Sequence, residues 1–441
     1  MTQSHAGALA PQAPALPDED ALYRKVWLRI IPFLFVCYVV SFLDRINIGF
    51  AQLQMKHDLG FSDAMYGLGA AVFYVGYVLC EVPSNLLLAR FGARRTFTRI
   101  MLLWGLASVG MMLVSTPAHF YALRFLLGVF EAGFFPGIVL YLTYWFPARR
   151  RAAVMAIFFA GVAVAGVLGG LLSGWIMRDF AGVLGLYGWQ WMFALEGAPA
   201  VLLGLAAAYY LVDGPAQAGW LSETEKRFLV AQREDGAHAA RSHSPGALRH
   251  ALANPRVYLF AFIYFALTCG SLTLSFWMPL MIRDFGIQDV VSVSLYSVVP
   301  NAVGAVGLFV IARHSDRRAE RHRHFLACTA GGALALAALT LHLPSFGAML
   351  ALLSLACVLI FAALPIFWSL PPSHLPAGTA AAGIAFISSI GITSGIVSPW
   401  VIGQIKTHTG SMDNALYLLS ALLLASGLAM WLGVPRDAAR R

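Results

Sequence analysis

Apolar positions come in runs of about twenty residues, divided by short polar breaks, from residue 27 almost to the C-terminus. A helix rises about 1.5 Å per residue, so a run of about 20 residues covers the hydrocarbon core of a bilayer. The pattern predicts twelve such helices, near 27–50, 65–89, 97–115, 118–146, 153–177, 190–211, 257–282, 291–312, 325–343, 347–370, 378–402 and 414–434. The fourth is the longest and is expected as one helix that projects beyond the bilayer. The only long hydrophilic connection runs from about 213 to 252, with six spans on either side. The expected organisation is a disordered tail (1–25), a six-helix bundle (26–212), a linker loop (213–252), a second six-helix bundle (253–434) and a short tail (435–441). The fold class is an all-α polytopic membrane protein.

Composition agrees with that pattern. Of 441 residues, 59% are hydrophobic and 12% charged, against roughly 25% charged in a soluble domain. The first residues carry Asp18, Glu19 and Asp20 and lack the basic start of a signal peptide. Cys37, Cys80, Cys269, Cys328 and Cys357 all lie in apolar runs without metal-type spacing, and read as small buried hydrophobes.

Charge adds orientation. With both termini cytoplasmic, that side receives Arg24, Lys25 and Arg29, then Arg90, Arg94, Arg95 and Arg99, then Arg149, Arg150 and Arg151. It also receives Lys226, Arg227, Arg233, Arg241, Arg249 and Arg256 of the linker, Arg313, Arg317, Arg318, Arg321 and Arg323, and Arg436, Arg440 and Arg441. The other side receives only Lys56, Arg178, Arg283 and Lys406. This is the positive-inside asymmetry, and it accounts for the net charge of +9 without a nucleic-acid partner. The expected partners are the lipid bilayer and a small molecule, with no obligate protein partner evident.

A charge near the bilayer centre costs at least about 2.5–3.5 kcal/mol, so charges inside spans are functional candidates. They are Asp44 and Arg45 in span 1, Glu81 in span 2, Arg124 and Glu131 in span 4, and Glu196 near the outer end of span 6. Helix rise puts Asp44, Arg45 and Arg124 about 9 Å below the outer surface, and Glu131 about 10 Å deeper, level with Tyr77. The outer layer thus holds one acid and two bases. Asp44 neutralises one arginine, and the other needs an anion, which a carboxylate substrate supplies through a two-pronged bond to guanidinium. The assignment expected is Arg45 on substrate and Asp44 held by Arg124. Glu131 has no fixed cation one turn away, so burial favours its proton-bearing form. The alternative reading is that these charges merely pin spans 1 and 4 together. For Glu81, near loop arginines, and Glu196, near an interface, the structural role is the expected one.

The second half places no charge inside its spans. Span 7 carries Tyr264, Thr268, Ser271 and Ser275 on one helical face; Ser388, Ser389 and Thr393 lie on span 11, and Trp368 and Ser369 end span 10. Together they are candidates to line a cavity opposite the charged half. Gly161, Gly166, Gly169, Gly170 and Gly174 give span 5 a small-residue face suited to close helix packing.

Several strings carry a family resemblance. They are Leu43-Asp44-Arg45-Ile46-Asn47-Ile48-Gly49, Glu81-Val82-Pro83-Ser84-Asn85, Arg124-Phe125-Leu126-Leu127-Gly128, Glu131-Ala132-Gly133-Phe134-Phe135-Pro136-Gly137 and Phe367-Trp368-Ser369-Leu370-Pro371-Pro372. The basic turns Arg90-Phe91-Gly92-Ala93-Arg94-Arg95 and Ser315-Asp316-Arg317-Arg318 occupy equivalent places in the two halves. From about residue 26 to 434 the chain resembles the major facilitator superfamily, and within it the anion:cation symporter branch, closest to bacterial tartrate, phthalate and nicotinate permeases. The resemblance implies the major facilitator fold and proton-coupled uptake of a small organic carboxylate by alternating access at the bacterial inner membrane. It implies that Asp44 and Glu131 are the protonatable pair, Arg45 binds substrate and Arg124 gates the acids. It also aligns Tyr77 and Tyr264 with cavity positions. Span 11 departs from the branch, with Ser388 and Ile392 where asparagines are common.

No cofactor is expected beyond protons as coupling ion. His-Glu zinc patterns, GxSxG strings and P-loops are missing, so the chain does not read as an enzyme. His238, His243, His250, His314, His322 and His324 fall between spans and are expected to be solvated. A proton-coupled exporter of a drug or metabolite is the alternative function.

Overall fold

The structure, a computed structural model, describes residues 18–240, 247–318, 320–375 and 380–435, and every regular element among them is a helix. The first half contains α1 (Glu19–Leu59), α2 (Asp63–Phe91), α3 (Ala93–Gly110), α4 (Pro117–Glu131), α5 (Phe134–Trp145), α6 (Ala148–Asp179) and α7 (Gly188–Tyr210). Next come α8 (Glu223–Ala240) and α9 (Ala247–Leu252) in the connection. The second half contains α10 (Pro255–Asp284), α11 (Val290–Arg318), α12 (Arg321–Leu339), α13 (Phe346–Trp368), α14 (Pro371–His374), α15 (Ala380–Ile392), α16 (Ser394–Thr409) and α17 (Asp413–Gly433).

Eleven helices or helix runs are long and apolar enough to cross a membrane. The twelfth span falls on α12, whose polar first turn, Arg321–His324, shortens its apolar stretch. With α4–α5 and α15–α16 each forming one crossing, there are twelve crossings. The start of α1, the end of α17 and α8 therefore share one face of the molecule, the terminal face.

Three features differ from the sequence reading. Residues 18–25, assigned to a disordered tail, already form the start of α1: the Asp18 carboxylate accepts from the Asp20 amide at 3.0 Å. Lys25 then reaches Glu225 of α8 at 3.0 Å, so the connection is helical and docked on the first half. Residues 1–17, Arg241, Arg436, Arg440, Arg441 and His243 lie outside the described residues.

Span 4, expected to be continuous, breaks after Glu131. Gly133 takes φ +82°, and a Cβ there would stand 2.6 Å from Ser84, so only glycine fits. Pro136 supplies the second reason: it has no N–H for the Ala132 carbonyl, and its ring would clash with that carbonyl in a straight helix. The third difference is His322, which is buried and packs its ring 6.2 Å from that of His374 instead of lying in solvent.

The halves meet through α2 on α16, α6 on α11 and α1 on α10. Glycines allow this approach. A Cβ on Gly67 would lie 2.3 Å from the Pro399 carbonyl, and one on Gly174 would lie 2.5 Å from the Ser294 side chain. Gly166 and Gly170 face Asn301 and Val298 of α11, which puts the glycine face of α6 at the boundary between the halves. Tyr66 donates to the Phe276 carbonyl at 3.0 Å, the Ala64 amide donates to Thr407 Oγ1 at 2.8 Å, and Arg283 donates to the Leu53 carbonyl. Along their helices, all these contacts lie between the middle and the face opposite the terminal face.

Candidate functional site: a buried charge cluster in the first half

Close backbone approach sets the site. A Cβ on Gly128 would stand 1.9 Å from the Phe73 carbonyl, and one on Gly76 would stand 2.5 Å from the Phe125 carbonyl, so α2 and α4 run in near contact. That brings Arg124 and Glu131 of α4 against α1 and α2. Asp44, Arg124 and Glu131 are 1%, 1% and 0% exposed.

Arg45 and Glu131 form the centre. Arg45 Nε donates to Glu131 Oε1 at 2.7 Å, and Ser41 Oγ donates to the same oxygen at 2.7 Å. The Arg45 guanidinium lies 5.1 Å from the ring centroids of Phe42 and Tyr77, which gives it cation–π support. Its side chain keeps 15% of its surface exposed, whereas Glu131 has none. Glu131 closes α4, at the negative end of that helix dipole, where the Arg45 guanidinium offsets the negative charge. Glu131 Oε2 has no hydrogen-bond partner.

Asp44, one residue away, points to the other side of α1. Trp104 Nε1 donates to Oδ2 at 2.7 Å and Ser108 Oγ donates to Oδ1 at 2.8 Å. Asn47 Nδ2 adds a longer bond of 3.4 Å. Arg124 Nε donates to the Gly69 carbonyl at 3.2 Å, and its guanidinium lies 4.8 Å from the Phe73 ring centroid. Arg124 Nη2 is buried without a partner.

The pairing therefore differs from the expected one. Arg45, not Arg124, holds an acid, and that acid is Glu131; neutral donors hold Asp44. Depth along a helix gave the right neighbourhood but not the azimuth. Ser41, Trp104, Ser108 and Asn47 were not foreseen as partners. Their signal was available, since Ser41 and Asn47 flank Asp44 and Arg45 at helical spacing, and Trp104 and Ser108 share one face of α3.

In the second half, the Tyr264 ring stacks on Phe367 at 5.4 Å and stands edge-on to Trp368 at 4.7 Å. Gly391 lets α15 abut that ring, and Thr268 Oγ1 donates to the Tyr264 carbonyl at 2.8 Å. Ser369, Ser389 and Thr393 each donate to their own helix, to the carbonyls of Ile366, Ala385 and Ile390 at 2.6, 3.0 and 2.6 Å. Ser271 and Ser388 are half-buried. Tyr264, Phe367 and Trp368 thus form one aromatic cluster, which Gly391 allows α15 to approach, separate from the Arg45–Glu131 bridge.

Two packed helical halves, the first of which holds a cluster of buried charges deep in its spans, define a polytopic membrane transporter. The family model of the Major Facilitator Superfamily matches residues 34–399, and the chain belongs to that family. It is a transporter and not an enzyme.

A protein of Agrobacterium vitis named as a tartrate transporter is 46% identical over 93% of this chain and 94% of its own. The metabolite transport protein NicT of Pseudomonas putida is 42% identical over 92% and 93%. A quinolone resistance transporter of Acinetobacter baumannii is 41% identical over 92% and 93%. Among solved structures, the D-xylose–proton symporter superposes with a TM-score of 0.75 at 15% identity, covering 93% of this chain and 99% of that one.

Proposed function

We propose that the protein imports a small organic carboxylate together with protons across the bacterial inner membrane, by alternating access. The observation that carries this reading is the 2.7 Å Arg45–Glu131 bridge, buried on the acid side and partly open on the arginine side. Guanidinium is the side chain best matched to a carboxylate, and here it is already occupied by one. A proton on Glu131 removes that competitor and frees Arg45 for the substrate carboxylate. Loss of the proton restores the bridge and displaces the anion. Substrate and proton thus bind together or not at all, which is symport.

The basic terminal face is the cytoplasmic one by the positive-inside rule. Contacts between the halves lie toward the opposite face, so the state described corresponds to one whose periplasmic side is closed. Relatives named for tartrate and metabolite transport favour a carboxylate as cargo. Tyr77, Tyr264, Trp368, Ser271, Ser369, Ser388, Ser389 and Thr393 are assigned to the walls around it.

The test is uptake into proteoliposomes of tartrate, phthalate, nicotinate, galactonate and glucuronate, with and without an inward proton gradient. Accumulation of one compound only with the gradient supports the proposal. Accumulation in Glu131→Gln that depends on the proton gradient as steeply as in the wild type overturns the role of Glu131. One relative is a quinolone resistance transporter, which favours export as a second reading. Export predicts no uptake of any panel member and a raised tolerance to the cargo in cells carrying the protein.

A further inference from the structure

Glu196 was expected to be a structural residue near an interface. It is instead 3% exposed and sits beside Asp44. The approach of α7 to α3 puts it there: a Cβ on Gly197 would lie 2.9 Å from Ser108 Oγ, the same hydroxyl that donates to Asp44. On the other side Ser173 Oγ of α6 donates to Glu196 Oε1 at 2.7 Å. Asn47, 0% exposed, donates from Nδ2 to Asp44 Oδ1 at 3.4 Å and lies close to Glu196.

The polar atoms in this chain do not balance if both acids are ionised. Among the described residues, Glu196 Oε2 and Asn47 Oδ1 are both buried and both lack a hydrogen-bond partner. Among the described residues, no Lys, Arg or His nitrogen lies within 4.0 Å of either carboxylate. Two unpaired anions sharing an amide inside a membrane protein repel each other and forgo solvation, which costs several kcal/mol per ion. A single proton removes one charge and supplies a missing donor. The charged groups acting on the pair from packed elements are Arg124 and Glu131 of α4, both on Asp44. From α3 and α6, the neutral donors Trp104, Ser108 and Ser173 reach it.

We propose that Asp44 and Glu196 form a second proton-carrying unit, with Asn47 bridging two carboxyl groups that hold one proton between them. Glu131 then governs whether Arg45 can take substrate, and the Asp44–Asn47–Glu196 unit carries a separate coupling proton. Each step is the addition of one proton to a carboxylate from the outer face, and its release to the cytoplasm. The inference rests on the proton-coupled reading of this transporter.

The test separates the two. Infrared difference spectra of substrate-free proteoliposomes are titrated across pH for the wild type, Glu196→Gln and Asp44→Asn. The wild type is expected to show a protonated-carboxyl C=O band that bleaches as pH rises and is lost or displaced in both variants. An identical band in Glu196→Gln overturns the proposal. If wild-type protein shows no gradient-driven uptake, the symport reading fails, while the infrared titration still decides the shared proton. In transport, Glu196→Gln is expected to lower the ratio of gradient-driven accumulation to substrate exchange about 10-fold across a gradient of about one pH unit, the loss of one coupled proton. A merely structural Glu196 leaves that ratio unchanged, because glutamine keeps its volume and hydrogen bonds. Should Glu196→Gln not fold, Ser173→Ala, which removes the donor to Oε1, must displace the same band; no displacement overturns the proposal.

Discussion

The two halves share a plan of six crossings and differ in what they bury. In the first, Asp44, Arg45, Arg124, Glu131 and Glu196 occupy the interior, held by Ser41, Asn47, Trp104, Ser108 and Ser173. In the second, hydroxyls at corresponding depths bond back to their own helices, and the interior is aromatic: Tyr264, Phe367 and Trp368. Its buried cation, Lys406, sits at the outer rim with Asp284. One half therefore holds groups whose charge can change, and the other offers a surface indifferent to charge. Under the proposed symport mechanism, such a division leaves only one wall to register the proton.

The largest expected break of this contrast is Arg45→Lys. An ammonium keeps the charge but loses the two-pronged geometry and the ring contacts. Hydrogen bonds to charged groups contribute about 1.5–3 kcal/mol, so apparent substrate affinity should fall about 10- to 100-fold. Competition of unlabelled against labelled substrate during exchange measures it. A variant within threefold of the wild type would mean that Arg45 serves only to hold Glu131.

Gly133→Ala comes next. Forcing a side chain into a left-handed backbone costs about 1–2 kcal/mol, and Ser84 must also move. A lower melting temperature of purified protein, with reduced uptake, is the expected result. An unchanged melting temperature would show that the break in span 4 relaxes freely. In the second half, Trp368→Phe keeps an aromatic ring beside Tyr264 but removes the indole N–H. An edge-on aromatic pair contributes about 0.5–1.5 kcal/mol, so KM should rise by no more than about 10-fold, with the gradient dependence intact. The smallest effect is expected for Ser388→Ala with Ser389→Ala: uptake should stay within about twofold, since surface or helix-satisfied hydroxyls usually contribute under about 0.5 kcal/mol. A large loss there would erase the distinction between the halves.

The fold was legible because membrane crossing is a one-dimensional constraint. A run of about 20 apolar residues has few other fates, and the basic residues between runs follow a simple asymmetry. The resemblance strings at Leu43–Gly49 and Arg124–Gly137 added the family, which the match over residues 34–399 bears out. Charge burial at Asp44, Arg45, Arg124 and Glu131 was also readable, since each interrupts an apolar run.

What tertiary structure alone decided is who meets whom. Asp44 and Arg45 are sequence neighbours, but consecutive helical positions diverge by about 100°, and they enter different clusters. Glu131 took Arg45 because Gly76 and Gly128 let α4 close on α2. Glu196 took a place beside Asp44 because Gly197 let α7 close on α3. Hydropathy records how deep a residue lies; only the azimuth of each helix and the glycines at its contacts determine which buried charges meet.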